Sequence, residues 1–196
     1  DRAGELGEHR VEVAGVVKRH DDVEVGGNCR RGVFGACAQA AADGKTAALV
    51  EINATLKGLR VSFALVGGLA VSARTEPRFT RDADLAVALG TDKEAETLIH
   101  ALRAHGFLIA AVVEQEAVGR LATVRLSLSA EPRAPVVDLL FASSGIESEI
   151  VAEAEPIELL PALTMSVARV GHLIAMKVLS RDDVRRPQDL VDLRAL

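Results

Sequence analysis

The stretch "RFTRDADLAVAL", residues 78–89, places Asp82 and Asp84 one residue apart in a segment that otherwise has the composition of a buried strand. Side chains at positions i and i+2 of a strand point to the same face, so the two carboxylates are predicted to lie side by side. Two ionised carboxylates repel each other, and a divalent cation between them removes that repulsion. Mg²⁺ prefers one or two carboxylates together with phosphate oxygens, which favours a nucleotide site. The alternative is a solvated edge strand.

A third acid lies in a strongly apolar run. Asp138 is part of "PVVDLLFA", residues 135–142, where an unpaired charge costs several kcal/mol. One interpretation is a buried ion pair with an arginine. The other is that Asp138, on a neighbouring strand, joins Asp82 and Asp84 as a trio around one or two metal ions, which would activate an attacking hydroxyl and stabilise a leaving pyrophosphate.

A glycine pair precedes these acids. Gly67 and Gly68 follow a predicted strand and open a predicted helix, so their backbone N–H groups are suited to receive phosphate. The loop that follows, up to the acids, carries Arg74, Arg78 and Arg81 against a single acid, Glu76. Arginines beside a carboxylate trio favour contact with a triphosphate or a nucleic-acid backbone.

Helical and alternating patterns become regular from Thr46 onward. They predict a mixed sheet with helices packed against it, an α+β fold. The predicted helices cover 46–58, 69–74, 92–106, 166–180 and 187–196, and the predicted strands cover 61–66, 82–89, 107–114, 121–129 and 135–142. Residues 1–45 are interpreted as an extension, either a weak hairpin or ill-ordered, and 46–196 as one domain with a small helical part from about residue 165.

Composition narrows the function classes. Of the 196 residues, 49% are hydrophobic and 26% are charged, and apolar runs stay far shorter than the roughly 20 residues of a membrane span. No secretory signal is apparent, and two cysteines make no disulfide framework, so a reducing cytoplasm is expected. The net charge of −5 and the absence of Trp and Tyr argue against a general polyanion surface and against aromatic stacking on bases.

The motifs resemble a known superfamily. "LVGGLAVSARTEPRFTRDADLAV", residues 65–87, together with "VVDLLF", residues 136–141, resembles the DNA polymerase β-like nucleotidyltransferases. Their core motif is a glycine pair at a helix start, then Thr/Ser-x-Asp-x-Asp, then a third carboxylate on an adjacent strand. The matching positions are Thr80, Asp82, Asp84 and Asp138. Gly67-Gly68 departs from the usual glycine-serine and lacks its hydroxyl.

The C-terminal segment makes the resemblance more specific. "LIAMKVLSRDDVRRPQDLVDL", residues 173–193, resembles the Lys…Ala/Ser-x-Arg…Asp-x-x-Asp segment of the AbiEii-type toxins, which include the mycobacterial nucleotidyltransferase toxins. The matching positions are Lys177, Arg181, Asp189 and Asp192. The residues alone leave other readings open: Lys177 can extend its charge out of an apolar helix, and Asp189 can complement a helix dipole. Lys177→Met is expected to leave the melting temperature unchanged or raise it and to reduce nucleotide transfer severely.

The resemblance implies a metal-dependent nucleotidyltransferase toxin that adds nucleotides to the tRNA 3′ end, blocks translation and is held in check by an antitoxin. Asp82, Asp84 and Asp138 would hold Mg²⁺ or Mn²⁺ on the NTP. Gly67, Gly68, Thr80 and Arg81 would line the phosphate site, Lys177 and Arg181 would contact the triphosphate, and Asp189 and Asp192 would join the catalytic set. The alternatives are an antibiotic-modifying nucleotidyltransferase with an acidic acceptor site and a non-catalytic binding protein on the same fold.

Overall fold

A computed structural model describes residues 33–77, 80, 82–115, 119–131, 134–141, 144–180, 182 and 186–196. Within these ranges the chain forms six helices and seven strands. In chain order they are α1 (Val33–Gly58), β1 (Phe63–Val66), α2 (Gly67–Arg74), β2 (Ala83–Val87), α3 (Asp92–Ala104), β3 (Leu108–Gln115), β4 (Arg120–Ser127), β5 (Val136–Leu140), α4 (Glu147–Ala152), β6 (Glu155–Leu160), β7 (Leu163–Val167), α5 (Val170–Leu179) and α6 (Gln188–Ala195).

The strands form one mixed sheet in the order β3-β4-β5-β2-β1-β7-β6. β2 pairs antiparallel with β1 and parallel with β5, while β1 pairs parallel with β7. Because of these directions, the C-terminal ends of β1 and β7 lie beside the N-terminal ends of β2 and β5, along one edge of the sheet formed by strand ends. The starts of α2 and α5 therefore lie at that same edge. The predicted α+β fold, a mixed sheet with flanking helices and a small C-terminal helical segment, is confirmed.

The core is built from aliphatic side chains of the central strands. Leu65, Leu85 and Leu139 are fully buried, and Ile52 and Leu56 of α1 are buried with them. Each such side chain contributes roughly 1.5–3 kcal/mol by leaving water. In this sheet the central strands are therefore held firmly, which fixes the positions of the acids at their ends.

The first helix begins earlier than the sequence pattern predicts. α1 starts at Val33, whereas the apolar spacing predicts a start at Thr46. The predicted segment 46–58 contains the buried residues Leu49, Ile52 and Leu56, whose helical spacing is the basis of the prediction. The interpretation of residues 1–45 as an extension stays a prediction, and residues 1–32 lie outside the described part of the chain.

The hairpin of β6 and β7 is not predicted by the sequence pattern, and its last two residues fall in the segment predicted to be helical from residue 166. β7 extends to Val167, and α5 begins only at Val170. Leu163, Met165 and Val167 are buried in alternation, the pattern of a strand. The bounds of β3, β4 and β5 were predicted to within one or two residues. Across the described residues, no helix is both long and apolar enough to cross a membrane.

Candidate active site

Three acidic side chains meet at the edge of the sheet where β1 ends. Asp84 of β2 is the register partner of Asp138 in β5 and of Val66, the last residue of β1. Asp82 lies directly before β2, and one guanidinium contacts both Asp82 and Asp138. The structure therefore brings together the three carboxylates that the sequence predicts on neighbouring strands.

That guanidinium belongs to Arg125, which faces Asp138 across the β4–β5 pair. Its Nε donates to Asp138 Oδ1 at 2.8 Å, and its Nη2 donates to Asp138 Oδ2 at 2.7 Å and to Asp82 Oδ2 at 3.3 Å. The hydrogen bonds to Asp138 raise the pKa of Arg125 above its usual range. Asp82, Asp84, Asp138 and Arg125 are called the carboxylate cluster below. The two interpretations of Asp138, arginine partner and acidic trio, are thus both realised in the geometry.

The surroundings of Asp84 disfavour the ionised form of its carboxyl group. Burial, and then the charges of Asp138 and Asp82, raise the pKa of Asp84 from 3.8 to about 6. The cluster combines three carboxylates with a single guanidinium. The deficit of positive charge is the property that a bound cation would correct.

Gly67 is required where β1 turns into α2. Its φ is +64°, and a Cβ built at this position would lie 2.0 Å from Asp84 Oδ2. Any larger residue would therefore push the Asp84 carboxylate away. The glycine fixes the distance between the start of α2 and the acid, which a sequence pattern alone indicates only as a turn.

The first turn of α2 carries backbone N–H groups that the helix itself does not satisfy. Gly67 and Gly68 open this eight-residue helix, and Val66 at its N-cap makes no side-chain hydrogen bond to it. The first N–H groups of a helix have no partner within the helix. Thr80, predicted to line the phosphate site, donates its hydroxyl to the Asp82 carbonyl at 3.3 Å and so holds the chain that leads into β2.

The C-terminal helices contribute a second charged cluster. Lys177 Nζ of α5 lies 2.5 Å from Asp189 Oδ1 and 2.8 Å from Asp192 Oδ2, both on α6. The side chains are 13%, 5% and 1% exposed in that order. These three residues, called the lysine cluster below, were each predicted as site residues. Their pairing was not predicted, although the i, i+3 spacing of the two aspartates on one helix face is a signal for it.

The two clusters influence each other electrostatically. The charges of Lys177 and Arg186 lower the pKa of Asp84, against the stronger effects of burial and the neighbouring acids. Arg186 also lies near the lysine cluster, with its Nε 3.7 Å from Asp189 Oδ2. The C-terminal helices therefore place positive charge within reach of the carboxylate cluster.

One neighbour of the cluster comes from α1. Burial lowers the pKa of the Lys45 ammonium, and the charge of Asp82 acts in the opposite direction. Lys45 therefore lies close enough to Asp82 to respond to its charge. Sequence reasoning missed this residue, because no motif includes it and its position falls at the end of the predicted extension.

Arg74 does not join the arginines expected at the phosphates. Its Nη1 contacts Glu155 Oε2 at 2.7 Å, and its Nε and Nη2 donate to the carbonyls of Ala168 and Val167 at 3.2 Å. These contacts tie the C-terminal end of α2 to β6 and β7, about 10 Å along the helix from Gly67. Arg81 and Arg181, both predicted to bind nucleotide, lie outside the described residues.

The donor set of the carboxylate cluster fits a hard divalent cation, since Mg²⁺ and Mn²⁺ take oxygen ligands. Burial and then the charges of Asp138 and Asp82 raise the pKa of Asp84, and this is the structural observation that favours a cation there. As arranged in the described part of the chain, no group of three or more His, Cys, Asp or Glu side chains forms a ready-made metal site. Arg125 occupies part of the space between the acids.

Comparison with known proteins gives the family. The model of the AbiEii family, described as "Nucleotidyl transferase AbiEii toxin, Type IV TA system", matches residues 48–196. No curated protein sequence matches the chain. Among solved structures, an antigenic nucleotidyltransferase-like protein from Paracoccidioides brasiliensis is 19% identical, with a TM-score of 0.51 over 78% of this chain and 74% of its own. The antibiotic-resistance factor ANT(2'')-Ia is 17% identical, with a TM-score of 0.51 over 77% of this chain and 83% of its own.

At these identities the solved structures show a shared fold, while the family model covers most of the chain, including both clusters. The suspected resemblance to nucleotidyltransferases of the AbiEii type is confirmed. The chain belongs to the AbiEii family of nucleotidyltransferase toxins of type IV toxin–antitoxin systems, and it is a nucleotidyltransferase enzyme.

Proposed function

We propose that this enzyme transfers a nucleotide from an NTP to the 3′-terminal hydroxyl of a tRNA, with a divalent cation bound at Asp82, Asp84 and Asp138. The observation that carries the proposal is the carboxylate cluster, in which three acids lie together, two of them bound to one arginine, beside the start of α2. Acids alone would repel a triphosphate. A cation between them and backbone N–H groups next to them make the same place attractive to one.

The proposed nucleotidyl transfer would use the carboxylate cluster in the following way. The acceptor hydroxyl attacks the α-phosphorus, a new oxygen–phosphorus bond forms, and the bond to the bridging oxygen of pyrophosphate breaks. The hydroxyl proton passes to a carboxylate, for which Asp138 is the candidate. When bound, Mg²⁺ or Mn²⁺ supplies positive charge to the phosphates and to the attacking oxygen. The backbone N–H groups of Gly67 and Gly68 orient the phosphates, and Arg81 and Arg181 are assigned the same role.

Lys177 has a more restricted role than a flexible phosphate ligand. Its ammonium is held by two carboxylates within the lysine cluster, yet its charge still acts on Asp84. Asp189 and Asp192 thus fix the position of the Lys177 ammonium. We assign Lys177 to the triphosphate side of the site, with the two aspartates as positioning residues.

The family supplies the biological setting. A type IV toxin–antitoxin system includes an antitoxin partner, and nucleotidyl transfer requires an NTP. Modification of the tRNA 3′ end would stop aminoacylation and so translation, in the cytoplasm. The tRNA acceptor rests on the resemblance of the C-terminal segment, and Arg186, which is 56% exposed beside the site, supports a polyanionic acceptor.

The test is a labelling experiment with each of the four α-³²P-labelled NTPs, total RNA and Mg²⁺. The expected result is label on tRNA that is lost when the tRNA is first oxidised with periodate, because oxidation destroys the 3′-terminal diol. Asp84→Asn is the matched inactive control. Label on an aminoglycoside in the absence of RNA, or label that survives periodate treatment, would overturn the assigned acceptor.

A further inference from the structure

Arg125 lies where the charge of the carboxylate cluster has to be balanced, and no motif of the family resemblance includes it. It approaches from β4, on the side of β5 opposite β2. Its guanidinium binds Asp138 through two parallel hydrogen bonds of 2.7 and 2.8 Å, a bidentate pair of the strong kind. A third contact of 3.3 Å reaches Asp82. One side chain therefore engages two of the three proposed metal ligands.

The contacts of Arg125 differ in exposure. Asp138 is 12% exposed, whereas Arg125 and Asp82 are 35% and 39% exposed. The longer contact to Asp82 lies at the accessible side of the cluster, and solvent screens an exposed ion pair. The Arg125–Asp82 contact is therefore the weaker of the two and the first that an incoming cation would replace.

We propose that Arg125 is a resident counter-cation of the carboxylate cluster, which bridges Asp82 and Asp138 in the metal-free protein and competes with a divalent cation for their oxygens. This inference rests on the metal site of the proposed function. Arg125 cannot dissociate as an ion does, so it lowers the affinity for metal without leaving the protein. Metal binding then requires Arg125 to release at least Asp82.

The test is direct Mn²⁺ binding in the absence of nucleotide and RNA, measured from the electron paramagnetic resonance signal of free Mn²⁺. Arg125→Gln keeps a hydrogen-bonding side chain but removes the charge, and we expect its Mn²⁺ affinity to rise at least about tenfold. Arg125→Lys keeps a charge without the bidentate fork and is expected to fall between Arg125→Gln and the wild type.

The chain offers a matched control on the same strand. Arg120 is also 35% exposed and also paired with an aspartate, Asp92, at 3.3 Å. Arg120→Gln removes the same charge away from the cluster, so its Mn²⁺ affinity should stay at the wild-type value. A folded Arg125→Gln protein with unchanged or weaker Mn²⁺ binding would overturn the proposal and show that Arg125 only positions Asp138.

A second measurement covers the case in which Arg125→Gln does not fold. In the wild type, the Nε–Hε resonance of Arg125 should shift when Mg²⁺ saturates the protein, while that of Arg120 should not. An unchanged Arg125 resonance at saturation contradicts the proposal. If neither the wild type nor any folded variant binds Mn²⁺, the metal site of the proposed function fails and this inference fails with it. If Asp84→Asn abolishes binding but Arg125→Gln does not improve it, only this inference fails.

Discussion

The carboxylate cluster and the lysine cluster contain the same kinds of group in different surroundings. Each combines one basic side chain with aspartates that lie outside its own helix or strand. In the lysine cluster the three side chains are at most 13% exposed, so the ammonium and the acids are locked together. In the carboxylate cluster the arginine and Asp82 are more than one third exposed, and Asp84 is opposed by like charges. Burial makes the lysine cluster a structural connection, whereas the exposed side of the carboxylate cluster is where the proposed cation would enter.

The largest expected effect on nucleotide transfer comes from removing the carboxylate of Asp84. Asp84→Asn should lower nucleotide transfer by a factor on the order of 10³ or more, because the cation loses a ligand. The metal-free protein should become more stable, by about 1–2 kcal/mol, because a buried charge and its repulsion by Asp138 and Asp82 are both removed. Transfer rates and chemical denaturation without metal test both parts.

Asp82→Asn serves as the control for that change, since it removes the same charge from an acid that Arg125 contacts. It should lose transfer similarly but gain no stability. Wild-type transfer by either variant in Mg²⁺ would contradict the metal assignment, and equal stabilisation by both would contradict the distinction between the two acids.

The lysine cluster should respond in the opposite way to loss of charge. The sequence alone predicts an unchanged or higher melting temperature for Lys177→Met. From the structure we expect the opposite, because the ammonium is buried between two acids. Leaving those acids without it should destabilise the protein by about 3–5 kcal/mol. Transfer should fall roughly 30- to 1000-fold if the charge also acts on the triphosphate.

Thermal unfolding and single-turnover rates at a temperature where the variant is folded separate the two effects of Lys177→Met. The exposed Lys93 of α3 provides the control, and Lys93→Met should change neither. A Lys177→Met protein as stable as the wild type would show that the lysine cluster is not a structural connection.

Gly67→Ala tests the distance between the start of α2 and Asp84 of the carboxylate cluster. The added methyl group would have to displace the Asp84 carboxylate, so transfer should fall by about 100-fold. Gly106→Ala is the matched control, because Gly106 also has a positive φ, +91°, but nothing lies within 4 Å of its Cβ position. It should lose stability, by about 1 kcal/mol, with normal transfer. Equal transfer by the two variants would contradict the close approach to Asp84.

The pH dependence of stability isolates Asp84. Its pKa in the folded protein is about 6, above the ordinary 3.8, so folding is favoured when Asp84 is protonated. This contribution is complete below about pH 4 and is lost as the pH rises through 6. The stability advantage of metal-free Asp84→Asn over the wild type should therefore be near zero at pH 4 and complete at pH 7. An advantage that is constant over this range would contradict the raised pKa.

The smallest effect is expected from truncation at Gly44. The protein should stay folded and retain transfer within about twofold, because the buried residues of α1 and Lys45 remain. Circular dichroism and the labelling assay measure the two outcomes. Loss of transfer with helicity retained would show that the removed residues shape the acceptor site.

The sequence predicted those parts of the site that local patterns encode. Spacing along a strand placed Asp82 and Asp84 together, and the apolar run around Asp138 indicated that this acid needs a partner. Arg125 could not be chosen from the arginines of the chain, because its pairing depends on the register of the β4–β5 hairpin. In the same way, the lysine cluster depends on how α5 packs on α6, which no local pattern specifies.

The order of the site residues along the chain determines when the site becomes complete during synthesis. Asp82 and Asp84 precede Asp138 by more than 50 residues, and Asp192 follows them by about 110. A ribosome adds roughly 5–20 residues per second, so some 5–20 s separate the first acids from the last member of the lysine cluster. A growing chain therefore carries the acids well before the helices that place positive charge beside them. Catalytic competence has to wait for the most C-terminal part of the site to be made.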